Sequence, residues 1–242
     1  MEMTIEQRNF FYRFFEFIFG DCVECLYISD CDTGRTDLII SSEEDVIDYT
    51  EIEGGTFEGV VWKAFFGSSK AVFSFENIDF VLKIPYNGSF TFSDDDGIVQ
   101  YIDMPNHIIL EDEIYGEATD SMKTILLKNE FAFEYQSLEV YTQKKIAGTE
   151  ENEYGTVKGR EHFNSYSENI KNQVIDIRKL AKGYSLPCDN FLAAIIEQHP
   201  DTFSSIIKEM DFEDMHNGNY GYLDDGTAVI FDYAGYCESY WG

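Results

Sequence analysis

The stretch from Asp214 to Gly235, DMHNGNYGYLDDGTAVIFDYAG, holds the tightest local constraint in the chain. Asp225-Gly226 is a two-residue turn signal with apolar alternation on both sides, so YGYL and TAVIF are expected to pair as a β-hairpin across a type I′ turn. In that register Asp224 faces Thr227. Counting back along the ladder, Asn219 faces Asp232, with Cβ atoms roughly 5 Å apart on one surface. Their oxygens are hard ligands, and two of them with substrate phosphates suit Mg²⁺, which keeps several waters and seldom sits in an all-protein cage. Asp214 adds a carboxylate five residues before Asn219. Clusters of Asp, Asn and Gly are also ordinary turn chemistry, so the spacing alone leaves a plain loop open.

With 242 residues, 44% of them hydrophobic and 16% aromatic, the chain has enough apolar material for a substantial core in one or two lobes. Its 46 acidic residues against 17 basic ones give a formal charge of −29. That balance disfavours direct contact with nucleic-acid phosphate and favours a basic protein partner or a metal-neutralised phosphate. No apolar run reaches the roughly 18 residues of a membrane span, and the start of the chain lacks the basic flank and cleavage site of a signal peptide, so no membrane and a cytoplasmic location are expected. The five cysteines include Cys22 and Cys25 with Cys31 near them. A structural zinc site needs a fourth ligand, from Cys188, Cys237 or a distant His, and reduced, buried thiols are the simpler reading.

Thr4 and Gln7 are spaced as a capping box ahead of apolar residues at 10, 11, 14, 15 and 18, and Gly20 is a stop, which predicts an amphipathic N-terminal helix. Its aromatic stripe fits core packing better than a membrane, because Glu6 and Glu16 stand on the same helix as Arg13 and offset its charge. Residues 21–55 read as polar and turn-rich with one edge strand at 36–40. From VVWKAFFGSSKAVFSFENIDFVLKIP the pattern becomes strand, small-residue turn, strand, strand. The turn Gly67-Ser68-Ser69-Lys70 lets backbone N–H groups approach phosphate oxygens, and Lys83 in the third strand can neutralise their charge; a hairpin turn and an outward-facing lysine explain the same residues. HIILEDEIYGEAT predicts a helix that packs on those strands, EFAFEYQS and LEVYTQKKIAG two further strands, and NQVIDIRKLAKG and NFLAAIIEQHPDTFSSIIKEM two helices of a second lobe.

DMHNGN resembles the D-x-H-x-G-N loop of aminoglycoside and choline kinase-like phosphotransferases, FDYAG stands where protein kinases have D-F-G, and FVLKIP is similar to the V-A-I-K strand. The chain thus resembles the protein kinase-like superfamily, nearest to its small bacterial and phage-type members. The resemblance implies an α+β, two-lobed fold with an antiparallel N-lobe over residues 51–148, a truncated, mainly helical C-lobe over 149–242, and residues 1–50 as an N-terminal extension. It implies ATP under the loop at Gly67, Ser68, Ser69 and Lys70, with Lys83 on the phosphates. Glu111, before Glu113, would orient Lys83, and the adenine would lie by a hinge at residues 144–148. Asn219 and Asp232 would hold Mg²⁺, Asp214 would act on the acceptor, and His216 would brace the loop. The sequence departs from the pattern in three ways. Phe65 fills the first glycine position, Phe212-Glu213 precedes Asp214, and only seven residues follow Gly235, without A-P-E or the later helices. Two expectations follow: an ATP- and Mg²⁺-dependent phosphotransferase, or a pseudokinase-like acidic protein that binds a basic partner.

Overall fold

The computed structural model of this chain describes residues 3–20, 23, 25–30, 36–41, 46–50, 53–67, 69–86, 89–93, 99–103, 106–149, 163–180, 186–202 and 218–233. They divide into two compact units, residues 1–109 with 129–145 and residues 110–128 with 146–242. The fold is α+β, with a six-stranded antiparallel sheet and several helices.

The first unit begins with α1 (Ile5–Phe19). Its start is the expected capping box: Gln7 N–H donates to Thr4 Oγ1 at 3.1 Å and Thr4 N–H to Gln7 Oε1 at 2.9 Å. Gly20, at φ +77°, ends it by donating to Glu16 C=O. After α1 come β1 (Cys25–Asp30), β2 (Thr36–Ser41) and β3 (Val46–Thr50), which form a sheet of their own in the order β1-β2-β3. The strand expected at an edge is therefore the central one. Its flanking strands were obscured in the sequence by the acids and turn residues between them.

β4 (Gly54–Phe57), β5 (Val60–Phe66), β6 (Lys70–Phe75) and β7 (Phe80–Pro85) then run as an antiparallel meander, as the alternation predicted for its last three strands. β8 (Ser89–Ser93) and β9 (Val99–Asp103) make a separate hairpin where the sequence pattern predicts a loop. β10 (Asn129–Tyr135) and β11 (Leu138–Lys144) complete the large sheet in the order β10-β11-β7-β6-β5-β4. One face of this sheet is aromatic and lies under α1. Phe14 meets Phe75 at 4.9 Å and Trp62 at 5.1 Å, Phe15 meets Phe73 at 5.8 Å, and Phe11 meets Phe80 at 5.8 Å, with Phe11, Phe14 and Phe15 fully buried. Each ring buried this way contributes about 2 kcal/mol of transfer free energy. The aromatic stripe of α1 is core.

The second unit takes most of α2 (His107–Glu117), then α3 (Asp120–Lys123), β12 (Gly148–Thr149), α4 (Glu168–Leu180), α5 (Asp189–Gln198), β13 (Tyr220–Tyr222) and β14 (Ala228–Ile230). The expectation that the 108–118 helix packs on the strands is met differently: Ile114, Tyr115 and Ala118 pack on the core of the second unit, with Met122, Ile125, Val174, Ile177 and the buried side of α5. α5 ends at His199, whose φ −135° and ψ 66° leave the helical region before Pro200, so the helix expected to continue past it stops there. β14 lies beside residues 125–127: Ile230 N–H donates to Ile125 C=O at 2.7 Å and Leu127 N–H to Ile230 C=O at 2.9 Å. No helix among the described residues is long and apolar enough to cross a membrane.

Candidate functional site

In the first unit Lys70 and Lys83, both singled out from the sequence, lie on the sheet face opposite α1. The strand registers pair Phe65 with Val72, Val72 with Lys83, Lys83 with Tyr141 and Tyr141 with Phe131, so five strands contribute one residue each to a single cross-sheet row. Lys83 is its centre and is 2% exposed, whereas Phe65 and Phe131 at its ends are 56% and 58% exposed. Lys70 faces Pro85 one step along the same face, and it too is buried, at 3% exposure. Two lysines are thus buried on one sheet face, an arrangement that is costly for cations unless polar or anionic groups answer them.

The turn before Lys70 works first as a turn. Gly67 N–H donates to Lys70 C=O at 3.1 Å, Gly67 C=O accepts the Tyr86 hydroxyl at 3.1 Å, and Tyr86 N–H donates to Ser69 C=O at 3.1 Å. Gly67 therefore spends its own donor on hairpin closure. Near the row, Tyr141 donates to Glu139 Oε2 at 2.8 Å, and Asn106 Nδ2 donates to the same oxygen at 3.1 Å. The Asn106 side-chain oxygen accepts Ile108 N–H at 3.0 Å, so this chain of bonds caps the start of α2. Val72, Tyr141 and Gln143 were not singled out from the sequence. Only the strand order brings them beside Lys83, and the signal available was the alternation of LEVYTQK.

In the second unit the hairpin forms, with a different register from the one its turn dipeptide suggested. Tyr220 pairs with Ile230 and Tyr222 with Ala228, which sets Leu223 opposite Thr227 and leaves a three-residue loop, Asp224-Asp225-Gly226. Gly226 donates to Leu223 C=O at 2.9 Å and takes φ +82°, the pattern of a type I turn followed by a left-handed residue. Asp225 Oδ1 accepts Thr227 N–H at 3.0 Å, an Asx bond that favours this longer loop. The shift of one residue would put Asn219 opposite Phe231 alone. A bulge at the far end offsets it: Phe231 N–H and Asp232 N–H both donate to Asn219 C=O, at 3.0 and 3.2 Å. Asn219 and Asp232 are neighbours across the hairpin through that bulge, not through simple ladder pairing.

Asp232 is fixed on its other side by Tyr233, which is 2% exposed and donates its hydroxyl to Leu127 C=O at 3.2 Å. Burial pushes the Tyr233 phenol well above its ordinary range, and Glu111, Asp112, Tyr115 and Asp232 push it further the same way. Glu111, fully buried, and Asp232 therefore share the surroundings of one tyrosine. The structure places Lys83 in the first unit and Glu111 in the second. Asp214, Ser68 and His216 lie outside the described residues, as do Cys22, Cys31 and Cys237 of the zinc alternative. Among the described residues no group of three or more His, Cys, Asp or Glu side chains is arranged to hold a metal ion. Compared with known proteins, the chain matches no family model, no curated protein and no solved structure.

Proposed function

We propose that the chain is a kinase-like phosphotransferase that moves the γ-phosphoryl group of ATP to a hydroxyl acceptor. The observation that carries this reading is the buried Lys83 at the centre of the Phe65–Val72–Lys83–Tyr141–Phe131 row, on the second strand after the Gly67 turn. A lysine on that strand, beneath a small-residue turn, is the arrangement that kinases use to hold triphosphate. Val72 and Tyr141 flank it in the row. Lys70 and Lys83 bind the phosphates. Asn219 and Asp232, joined by the bulge, offer an amide and a carboxylate oxygen of the hardness that Mg²⁺ prefers. Bound there, Mg²⁺ would neutralise phosphate charge. Asp214 positions the acceptor hydroxyl and takes its proton as the acceptor oxygen bonds to the γ-phosphorus and the bond to ADP breaks.

Thermal unfolding with and without Mg-ATP tests the reading. A ligand at 100 times its Kd adds about 2.7 kcal/mol to the folded state, so Tm should rise by several degrees. Asp232→Ala should remove the Mg²⁺ dependence of that shift, and Asp214→Asn should keep binding while losing turnover of labelled ATP. Absence of any nucleotide-induced shift in the wild type would overturn the phosphotransferase.

The charge favours a second reading. A formal −29 on 242 residues creates a field that attracts a basic protein whether or not ATP is turned over. Its mark is an affinity for a basic partner that falls steeply with salt and is indifferent to Asp232→Ala.

A further inference from the structure

The two edges of the six-stranded sheet are built differently. β10, at one edge, carries exposed Glu130 and Glu134 and a register shift between Phe131 and Phe133, the charges and irregularity that keep an edge from pairing with other chains. β4, at the other, reads Gly54-Gly55-Thr56-Phe57, with no charge and no proline, and its first three residues are exposed.

The hydrogen-bond phase of the β4–β5 hairpin decides which of its groups point outward. Ala64 N–H donates to Glu53 C=O at 3.1 Å, and Gly55 and Phe57 stand opposite Trp62 and Val60 in the same phase. The N–H and C=O groups of Gly54 and Thr56 therefore face away from the sheet, and no described residue bonds to them. A Cβ added at Gly54 would lie 2.6 Å from Trp62 C=O, so this position stays glycine and no side chain shields the approach.

We propose that β4 is a docking edge for an extended segment of a basic polypeptide, which adds to the sheet as a further strand by bonding to the main chain of Gly54 and Thr56. Charge selects this occupant over a second copy of the chain: two copies would each bring −29 to the contact, whereas a basic segment brings the opposite sign. The partner's charge rests on the binder reading above, while the place and mode of docking rest on the edge itself.

The probe is a synthetic octapeptide of alternating lysine and valine, compared with the same peptide N-methylated on alternate amides, which cannot form the ladder. Binding is followed by calorimetry and amide hydrogen exchange on the intact chain. The unmodified peptide should bind and slow exchange at Gly54 and Thr56 by about tenfold or more. Thr56→Pro removes an outward N–H and no internal ladder bond, so it should weaken binding as N-methylation does. If the variant fails to fold, the N-methylated peptide makes the same comparison on the wild type. Equal binding of both peptides without protection at Gly54 and Thr56 would remove the edge and leave the binder reading standing. Failure of any basic peptide to bind would remove the binder reading and the docking edge together. A dimer of the chain that Thr56→Pro dissolves would assign the edge to a second copy and overturn the proposed occupant.

Discussion

Lys83 shows what a single residue adds to the argument. In the sequence it is a lysine among Phe80, Val81, Leu82 and Ile84, equally consistent with an outward-facing strand position. In the structure it faces away from the aromatic core and is nevertheless 2% exposed. An ammonium held out of water is costly unless a polar or anionic group answers it, so the substitution to test is one that keeps volume and removes charge. Lys83→Met should leave far-UV circular dichroism unchanged and weaken ATP at least about tenfold, a loss of about 1.4 kcal/mol that cuts the stabilisation by Mg-ATP to about half or less. An ATP affinity equal to wild type would take Lys83 out of the phosphate site.

At the scale of elements, the β13–β14 hairpin is held by more than its own ladder. Gln198, the last residue of α5, donates from Nε2 to Gly226 C=O at 2.9 Å and accepts Ala228 N–H on Oε1 at 2.9 Å. Its side-chain amide takes the place of a neighbouring strand at the turn. The bulge that sets Asp232 beside Asn219 lies at the opposite end of the same short hairpin, so the loop length fixed near Gln198 sets the register in which the bulge forms. Gln198→Ala strips two backbone groups of their partners and should cost about 1–3 kcal/mol of stability by denaturant unfolding. It should also speed amide exchange at Ala228 more than at Tyr220. Uniform loss of protection along the hairpin would show that Gln198 stabilises the unit without anchoring the turn.

For the whole molecule, charge is the dominant long-range term. Repulsion among 46 carboxylates, balanced by only 17 cations, opposes compaction, and salt screens it over a Debye length of about 10 Å at 0.1 M. Exposed ion pairs such as Arg13 with Glu58, at 2.7 Å, weaken as salt rises, but 17 cations cannot pair with all 46 acids. Raising NaCl from 0.02 to 0.5 M should therefore raise Tm of the wild-type chain, read by calorimetry at pH 7. A falling Tm would mean that local ion pairs outweigh the net repulsion.

The sequence by itself determined the features that depend on nearest neighbours along the chain. The cap at Thr4 and Gln7, the aromatic stripe of α1, the three strands from Val60 to Pro85, the pair from Asn129 to Lys144 and the existence of the last hairpin are all written in spacing and turn residues. It did not determine the hairpin's phase, because Asp225-Gly226 serves either a two-residue loop or a three-residue loop closed by an Asx bond. Long-range contacts with Gln198 and residues 125–127 accompany the second. Nor did it give the three-strand sheet around β2 or the hairpin of β8 and β9, whose strands are short and separated by acidic turns. The candidate site divides along the same line. Lys83 and Asp232 were visible as residue types at suggestive spacings, while Val72 and Tyr141 joined Lys83 only once β11 came to lie against β7. The adjacency of Asn219 and Asp232 came from a bulge that no dipeptide signals. Which strands become neighbours is decided by burial summed over the whole sheet, and a local pattern carries no record of that sum.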